Sequence, residues 1–418
     1  MSAVAVPSSV IVIGGGPAGY TFVDQLRLRG YRGELTLVDP RGLPMDRPPV
    51  SKEYLRGAMS REELRFREAE WYEERSIAVV AGAVLQLRPD LGEADVLLPS
   101  GQMQTLTADL LVLATGAAPI PAASNPAVPG IATLYNVDEA DHWRSAFAPG
   151  LRLVVLGGGL VGAEAASAAR DAGADVTLVN RSAPAGSRAF GEDAALRLLA
   201  RHDERGVRVV TGESVEERAV DGGLEVVLAD GTVLEADAVL DAGGALPSDE
   251  LAVFPEEHVN VADDETGGVL ADAAGRTSHP RVLAIGDVAR RVAADGAVQP
   301  WRGHWESAIH SAEDAAAALL GQNPEERGTH WFWSDRHGEH IEVVGDPTVG
   351  AVVRREDPRG LRGVFTIGSS GELLGAVTFD DARLARASRR LIDRGTPVDA
   401  AALADPEVSA RELVRPPK

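Results

Sequence analysis

Two glycine-rich loops of the form Gly-x-Gly-x-x-Gly occur in this chain, at 14–19 and at 157–162. Each follows a short aliphatic run that predicts a strand, and each opens onto a predicted helix. This order holds a dinucleotide pyrophosphate, because glycines admit the backbone closely and helix N–H groups face the phosphates. Two such loops predict two dinucleotides, and the usual reason to bind both is hydride transfer from a nicotinamide to a flavin. The loop residues expected to contact them are Gly14, Gly16, Pro17, Ala18 and Gly19 in the first loop and Gly157, Gly159, Leu160, Val161 and Gly162 in the second.

The residue that ends the second predicted strand after each loop separates the two sites. After the first loop this residue is Asp39, whose carboxylate can accept hydrogen bonds from the adenosine ribose of NAD or FAD. After the second loop it is Asn180, with Arg181 next and Arg188 close by. Because an arginine binds a ribose 2′-phosphate that a carboxylate would repel, this pattern favours NADP over NAD. The alternative is that Arg181 is a solvated turn residue and that Asn180 accepts either nucleotide.

Two further segments favour a flavin as one of the two dinucleotides. A buried-strand pattern ends in Thr115-Gly116, close to where the first nucleotide domain should lead into the second. Another runs directly into Gly286-Asp287, where the glycine admits a cofactor closely and the aspartate can accept from a ribitol hydroxyl. An aspartate at this position can instead cap the next helix. Its occurrence after two dinucleotide loops favours the flavin contact.

Four segments together resemble a known family. They are the Asp-Arg-Pro-Pro-Val-Ser-Lys-Glu-Tyr-Leu run at 46–55, the second glycine loop extended to Glu164, the run around Gly-Asp at 284–289, and Trp-Phe-Trp-Ser-Asp at 331–335. The chain resembles the FAD-dependent ferredoxin, putidaredoxin and rubredoxin reductases over nearly its whole length and in the same order. The resemblance implies FAD and NADP (or NAD) as cofactors. It also implies a ferredoxin-type iron–sulfur protein as partner, which would supply an oxygenase or a cytochrome P450.

The resemblance assigns further site residues. Arg47 is implied to bind FAD, and Lys52 to lie near the reactive N5 of the flavin and to pair with Glu164, which points toward the nicotinamide. A cation near N5 stabilises negative charge on the reduced flavin. Trp305 is implied to begin a helix that reaches the flavin pyrimidine ring, and Trp333 to cover the flavin face. Alternatively, Glu164 is an acid that the helix dipole favours in the first turn, Lys52 is a surface lysine, and both tryptophans, Trp305 and Trp333, belong to the core.

The order of these motifs predicts an α/β fold with two Rossmann-like dinucleotide-binding domains. The FAD-binding domain should be discontinuous, formed by 1–118 and 244–325, with the NAD(P)-binding domain at 119–243 inserted into it. From 326 to 418 the chain changes to short strand-like runs followed by a helix. The resemblance implies that this C-terminal α+β domain is an interface domain that lies against the flavin.

The chain has no cysteine, and this narrows its chemistry. Disulfide reductases need a redox-active cysteine pair beside the flavin, and several related peroxidases and oxidases need one cysteine, so these activities are excluded. Iron–sulfur clusters and thiolate zinc sites are excluded for the same reason. We expect no metal site at His330, His337 and His340, which lack a convincing fourth ligand. Electrons can therefore rest only on the flavin before they leave.

The formal net charge of −22 disfavours nucleic acid as a partner, because the field repels phosphate backbones. The chain has neither a long apolar span nor the positive region of a signal peptide, so we expect a cytoplasmic protein without a membrane partner. Ferredoxins are commonly acidic too, so a docking face for one must be locally basic. The best candidate is a predicted helix at 381–394, where Arg383, Arg386 and Arg390 recur at helical spacing. The alternative is an ordinary solvated helix face.

Three single positions and one short run depart from the family pattern. Met45 stands where an aromatic residue is usual, His304 where an arginine is usual, and His330 where a proline is usual. The run 336–338 reads Arg-His-Gly in place of a Gln-Tyr-Asp-like run. All four lie outside the phosphate loops, so reduction of the flavin should survive while the electron acceptor stays open.

Two other functions compete with the ferredoxin reductase. The first is a stand-alone flavoenzyme that oxidises or reduces a small organic substrate or a quinone in a pocket reshaped at Met45 and His304. The second, a nucleotide sensor without catalysis, is disfavoured because Lys52, Glu164 and Asp287 are all present. The sequence leaves open whether the protein is a monomer or a homodimer.

Overall fold

The structure is a computed structural model that describes residues 6–252, 259–301 and 303–415. The chain divides into two compact units, each assembled from three separate stretches. The first unit comprises Met1–Pro48, Met59–Ala118 and Ala245–Arg327, and the second comprises Pro49–Ala58, Pro119–Gly244 and Gly328–Lys418.

The N-terminal stretch alternates strands and helices before it changes to antiparallel hairpins. Its elements in chain order are β1 Ser9–Ile13, α1 Pro17–Leu28, β2 Glu34–Asp39, α2 Ala69–Glu74, β3 Ile77–Ala81, β4 Ala83–Arg88, β5 Glu93–Leu97, β6 Met103–Thr107, β7 Leu110–Leu113 and β8 Ala117–Pro119.

The middle of the chain repeats this plan. Its elements are β9 Ile131–Thr133, α3 Val137–Ala146, β10 Arg152–Leu156, α4 Leu160–Asp171, β11 Asp175–Asn180, α5 Ser187–Glu204, β12 Arg208–Thr211, β13 Ser214–Val220, β14 Gly223–Leu228, β15 Val233–Ala236 and β16 Ala238–Asp241. The elements that follow are β17 Ala245–Pro247, β18 Val269–Ala271, β19 Val282–Ala284, β20 Ala289–Arg291 and α6 Trp305–Leu319.

The C-terminal stretch is an antiparallel sheet followed by short helices. Its elements are β21 Trp331–Arg336, β22 Glu339–Gly345, β23 Ala351–Asp357, β24 Gly360–Ile367, β25 Leu373–Phe379, α7 Ala382–Arg394, α8 Ala400–Ala404 and α9 Ala410–Leu413. The sheet order is β21-β22-β25-β24-β23, so β21 is an edge strand.

Two five-stranded parallel sheets carry the two glycine loops. The first has the order β19-β7-β1-β2-β3 and the second the order β12-β11-β10-β16-β9. Both central strands are continuous aliphatic runs because both of their faces are buried. In β1, Val10 and Val12 pack into one core cluster, while Ile11 and Ile13 pack into another on the opposite face. In both sheets the loop after the central strand therefore leaves the carboxyl edge, where α/β proteins bind nucleotides.

The C-terminal sheet packs against a different helix on each face. Phe332 of β21 lies in a core cluster with Phe190 of α5, and Ala376 of β25 lies in another with Leu384 of α7. Trp331 and Ala376 pair with the same residue of β22 from its two sides, so they lie on one face of the sheet. Trp331 and Trp333 therefore belong to the face that α7 covers. Phe332, Ser334 and Arg336 alternate to the other face, toward α4 and α5.

The predicted fold class, two Rossmann-like domains and a C-terminal α+β domain, is confirmed. The three-domain division at 118, 243 and 325 stays a prediction. In the structure the compact units change at 48/49, 58/59, 118/119, 244/245 and 327/328, and the second unit contains both the second glycine loop and the C-terminal sheet.

Candidate functional site

The two glycine loops have the same local geometry. Gly14 has a φ of +113° and Gly157 a φ of +108°, and a Cβ at either position would lie 2.2 or 2.1 Å from a carbonyl oxygen of the neighbouring strand connection. Gly16 and Gly159 are the N-caps of α1 and α4 and make no side-chain cap. A Cβ at Gly16 or Gly159 would meet nothing within 4 Å, so both helix N-termini are open to a ligand. The chain therefore contains two loops with equivalent geometry for binding a pyrophosphate.

The residues at the ends of β2 and β11 hold the loops in equivalent ways. Asp39 Oδ2 accepts from the Gly15 N–H at 2.8 Å, and Asn180 Oδ1 accepts from the Gly158 N–H at 3.1 Å. The carboxylate of Asp39 keeps lone pairs for two ribose hydroxyls, whereas the Asn180 amide is neutral.

Arg181 follows Asn180 directly on an exposed turn, and Arg188 is exposed at the start of α5. Within the described ranges neither arginine forms an ion pair, so both guanidinium groups remain available to an anion. This arrangement suits a 2′-phosphate, since a carboxylate is absent from the strand end and two cations lie after it.

Asp287 is a buried acid with an unused oxygen. Its Oδ1 has no hydrogen-bond partner among the described residues. Burial raises the pKa of Asp287 to about 6, and the nearby Arg47 opposes that rise. The side chain caps no helix, because Gly286–Val288 is a single short turn whose N-cap is Ile285. A buried carboxylate oxygen without a protein partner is suited to accept from a ligand hydroxyl, such as that of a ribitol chain.

Most of the FAD residues predicted from the sequence come together in the first unit. A Cβ at Gly286 would lie 2.7 Å from Cβ of Ala18, so the Gly-Asp turn contacts the first loop. Gly116 lies beside the Arg47 guanidinium, and the indole N–H of Trp305 donates to Asp46 Oδ1 at 2.8 Å. Thr115 donates its hydroxyl to the Ser248 carbonyl at 2.7 Å.

Lys52 and Glu164 form a buried ion pair in the second unit. Lys52 Nζ lies 3.1 Å from Glu164 Oε2, and their side chains are 8% and 1% exposed. Ser51 also donates its hydroxyl to Oε2, and Ser334 donates to Oε1 at 2.7 Å. The pairing of Lys52 with Glu164 that the resemblance implies is thus present, and two serines complete it.

Trp333 lies beside this pair. Lys52 Nζ is 5.6 Å from the centre of the Trp333 ring, within the range of a cation–π contact. Trp331 stacks on Trp333 with ring centres 4.9 Å apart, and its indole N–H donates to Glu342 at 3.0 Å. Trp333 is therefore held in place on one side and contacts the catalytic lysine candidate on the other.

A second buried polar group lies where α4 and α5 meet the β21–β22 turn. His337 Nε2 and His202 Nδ1 are 2.8 Å apart, and the His337 N–H donates to the Ser167 hydroxyl at 2.7 Å. Burial lowers the pKa of His337 to about 4 and that of His202 to about 3, so both rings are neutral at neutral pH. Burial also lowers the pKa of Arg336 to about 10. The negative charges of Glu164 and Glu339 oppose this shift by raising the pKa.

Two of the histidines considered above as metal ligands, His337 and His340, have partners of their own in the described ranges. His337 bonds His202, whereas His340 Nδ1 lies 2.6 Å from Asp335. Groups of three potential metal ligands do not occur among the described side chains.

Sequence reasoning missed Ser51, Ser334, Ser167 and His202. The signal for Ser334 was available in the alternation of β21, where Trp331 and Trp333 share one face and Ser334 shares the other with Phe332. His202 gave no signal, because its partner is a turn residue 135 positions away.

The predicted arginine face is present on α7. Asp381 caps this helix, and Leu384 and Leu391 are buried against the C-terminal sheet. The arginines on its opposite face, all exposed and without ion pairs in the described ranges, are Arg383, Arg386 and Arg390.

Helices long and apolar enough to cross a membrane are not found among the described residues. Two family models match the chain. Residues 8–315 match pyridine nucleotide-disulphide oxidoreductase, and residues 331–414 match reductase C-terminal.

Known proteins are similar to nearly the whole chain. The ferredoxin–NAD(+) reductase component of the p-cumate 2,3-dioxygenase system of Pseudomonas putida is 32% identical, with 97% of this chain and 98% of that protein covered. A solved putidaredoxin reductase, in covalent complex with putidaredoxin, is 27% identical with a TM-score of 0.87, covering 97% of this chain and 98% of that one. A solved ferredoxin reductase from Rhodopseudomonas palustris is 26% identical with a TM-score of 0.88, covering 98% and 100%.

Proposed function

The chain belongs to the pyridine nucleotide-disulphide oxidoreductase family, and on that premise we propose how it works as an FAD-dependent oxidoreductase that transfers electrons from NAD(P)H to a ferredoxin. The observation that carries the proposal is two open dinucleotide loops in a chain without cysteine. Despite the family name, the protein has no thiol that could hold electrons. Electrons that leave the nicotinamide nucleotide must therefore pass through the flavin alone.

FAD is assigned to the first loop and NAD(P)H to the second. The unpartnered oxygen of Asp287, the Arg47 guanidinium and the carboxylate of Asp39 support FAD in the first unit. Asn180 and Arg181 support NADP at the second loop. When bound, FAD supplies the chemistry that accepts a hydride and releases single electrons. The protein supplies binding, orientation and charge.

We assign Glu164 and Lys52 to the hydride-transfer step and Trp305 and Trp333 to packing against the flavin. The buried ion pair supports the first assignment, because an ammonium held by a carboxylate keeps its position and its charge. The contact of Lys52 with Trp333 supports the assignment of Trp333, and the hydrogen bond of the Trp305 indole to Asp46, the residue before Arg47, supports that of Trp305.

The partner is proposed to be a ferredoxin-type iron–sulfur protein that supplies an oxygenase or a cytochrome P450. The relatives named for ferredoxin and putidaredoxin cover the chain almost completely, which supports this proposal. The exposed arginines of α7 give an acidic partner a local attraction on a protein whose net charge is −22.

A two-stage anaerobic experiment tests this function. Purified holoenzyme is first mixed with NADPH or NADH, and bleaching of the flavin absorbance is followed. The reduced enzyme is then mixed with a panel of ferredoxins and, separately, with quinones. Rapid reoxidation by a ferredoxin is expected. Reoxidation by a quinone but by no ferredoxin would replace the ferredoxin reductase with the stand-alone flavoenzyme.

A matched pair of variants tests which loop binds which cofactor. At Gly16 and at Gly159 an added methyl group meets no protein atom within 4 Å, so Gly16→Ala and Gly159→Ala should both fold. Each methyl group would intrude where a pyrophosphate approaches the backbone. Gly16→Ala is expected to purify with less FAD. Gly159→Ala should retain FAD, be reduced by dithionite, and bind NADP⁺ weakly. The opposite pattern would exchange the two assignments.

A further inference from the structure

We propose that Ser334 is a positioning residue for the NAD(P)H half-reaction, because its hydroxyl fixes the orientation of the Glu164 carboxylate. The C-terminal strand β21 would then take part in flavin reduction. This inference rests on the proposed function of Glu164 and Lys52.

The contacts of Glu164 are divided between its two oxygens. Oε2 accepts from Lys52 Nζ at 3.1 Å and from the Ser51 hydroxyl, while Oε1 accepts from the Ser334 hydroxyl at 2.7 Å. Among the described residues, Ser334 is the donor to Oε1. A carboxylate anchored through one oxygen can rotate about its terminal torsion, whose energy wells are broad, whereas one anchored through both oxygens cannot. Ser334 therefore sets the plane of the carboxylate.

Burial makes this single hydroxyl consequential. Glu164 is 1% exposed and Ser334 is fully buried, so water cannot replace the hydroxyl without entering the core. A buried carboxylate without its donor loses part of the support for its charged form. Without the Ser334 hydroxyl, the Glu164 carboxylate also holds the Lys52 ammonium less firmly, because the position of the ammonium depends on the position of the carboxylate.

The strand that carries Ser334 contacts both members of the pair. Ser334 donates to Glu164, and the ring of the preceding Trp333 lies 5.6 Å from Lys52 Nζ. Adjacent residues of a strand face opposite sides, and β21 is the edge of its sheet, so Lys52 can reach around that edge. Trp333 and Ser334 thus fix the positions of the Lys52 ammonium and the Glu164 carboxylate relative to each other.

The alternative is that Ser334 only helps to hold β21 in place. Ser388 provides the matched control, because it is also a buried serine of the C-terminal region, 1% exposed, and its hydroxyl donates to the Leu384 carbonyl at 2.9 Å. Ser388→Ala removes a buried hydroxyl without contact to the ion pair. Ser334→Thr keeps a hydroxyl at the site.

Ser334→Ala is expected to slow flavin reduction by NADPH at least about tenfold, as misplacement of a positioned group does. A larger isotope effect with 4-deuterated NADPH should accompany the slower rate. NADP⁺ binding to the oxidised protein, FAD content and apoprotein melting should match Ser388→Ala. Reoxidation of the dithionite-reduced variant by ferredoxin should equal that of the wild type. Ser334→Thr should recover most of the rate.

The outcomes separate this inference from the proposed function. A wild type that NAD(P)H cannot reduce would contradict the proposed function itself. A normal wild type together with an unimpaired Ser334→Ala variant would overturn the positioning role. Equal slowing in Ser334→Ala and Ser388→Ala, or slowing in Ser334→Ala that accompanies a loss of melting temperature beyond that of Ser388→Ala, would leave only a structural role and would also overturn it.

Discussion

Lys52 Nζ and Glu164 Oε2 are 3.1 Å apart inside the protein, with 8% and 1% of their side chains exposed. Burying two charges is costly, and their mutual attraction compensates only when further hydrogen bonds satisfy the remaining oxygens. Ser51 and Ser334 provide those bonds. The pair is thus a complete polar unit, and truncating one partner leaves the other charge uncompensated.

Replacing either partner should therefore affect both stability and rate. We expect Lys52→Met or Glu164→Gln to lower the free energy of unfolding by about 3–5 kcal/mol, and the double variant to lose less than the sum. Urea unfolding of the apoproteins measures this effect. Stopped-flow reduction by NADPH should be slow in all three variants while FAD content is retained. Additive stability losses would contradict the description of the two residues as one unit.

Nucleotide choice should depend on the turn after β11. Asn180→Glu combined with Arg181→Ala is expected to lower kcat/KM for NADPH and to raise it for NADH, because a carboxylate accepts from the ribose 2′-OH but repels a 2′-phosphate. FAD content should not change, since Asp39 holds the first loop. A wild type that already prefers NADH tenfold would contradict the role given to Arg181.

Much of the nucleotide sites could be predicted from the sequence, because their chemistry is local. Each loop follows its own strand directly, and Asp39 and Asn180 end the next strand of the same sheet. The pair of Lys52 and Glu164 was implied by the resemblance rather than by spacing, since 112 positions separate them.

Other features could not be predicted because their signals are weak or tertiary. The antiparallel strands β4–β6 and β13–β15 were missed: β13 buries one side chain, the charged Glu217, so it lacks the apolar alternation of a strand. Glu217 is nevertheless satisfied by the Ser214 and Ser124 hydroxyls. His337 adopts a φ of +54° in the turn after β21, a position where asparagine or glycine is usual, and its contact with His202 depends on how α5 packs.

The electron capacity of the holoenzyme should be two per protomer. The chain has no cysteine, so only the FAD can accept electrons. Anaerobic titration with dithionite should reach its end point at two electrons per flavin. An end point near four would reveal a second redox centre and contradict the assignment.

Binding of FAD should depend on pH through Asp287. Burial raises the pKa of this carboxyl from 3.8 to about 6, so the folded apoprotein holds the proton more tightly than the unfolded chain does. Apoprotein stability from this group is therefore full below pH 3.8 and is lost as pH rises to about 6. A hydroxyl donor favours the carboxylate, so FAD affinity should rise over the same interval and then level off.

Asp287→Asn tests this linkage. The variant should remove that part of the pH dependence of apoprotein melting and should bind FAD more weakly above pH 6, because an amide accepts a hydrogen bond less strongly than a carboxylate. Asp295→Asn, an exposed position in the same unit, is the control. An unchanged pH profile in Asp287→Asn would show that another group controls FAD affinity.

Electron delivery should depend on the arginine face of α7, whereas flavin reduction should not. Arg383, Arg386 and Arg390 are exposed on the face of the helix opposite the buried Leu384. Converting the three arginines to glutamate should slow reoxidation by an acidic ferredoxin and weaken its dependence on salt, because the local attraction that steers the partner is lost.

The control for this variant must carry the same change in net charge. Arg32, Arg205 and Arg208 are also exposed, and their conversion to glutamate adds an equal negative charge elsewhere. If the effect is local, this control should reoxidise much faster than the α7 variant at low ionic strength, while both are reduced by NADPH at the wild-type rate. Equal slowing in both would assign the effect to overall repulsion, and α7 would then be an ordinary solvated helix face.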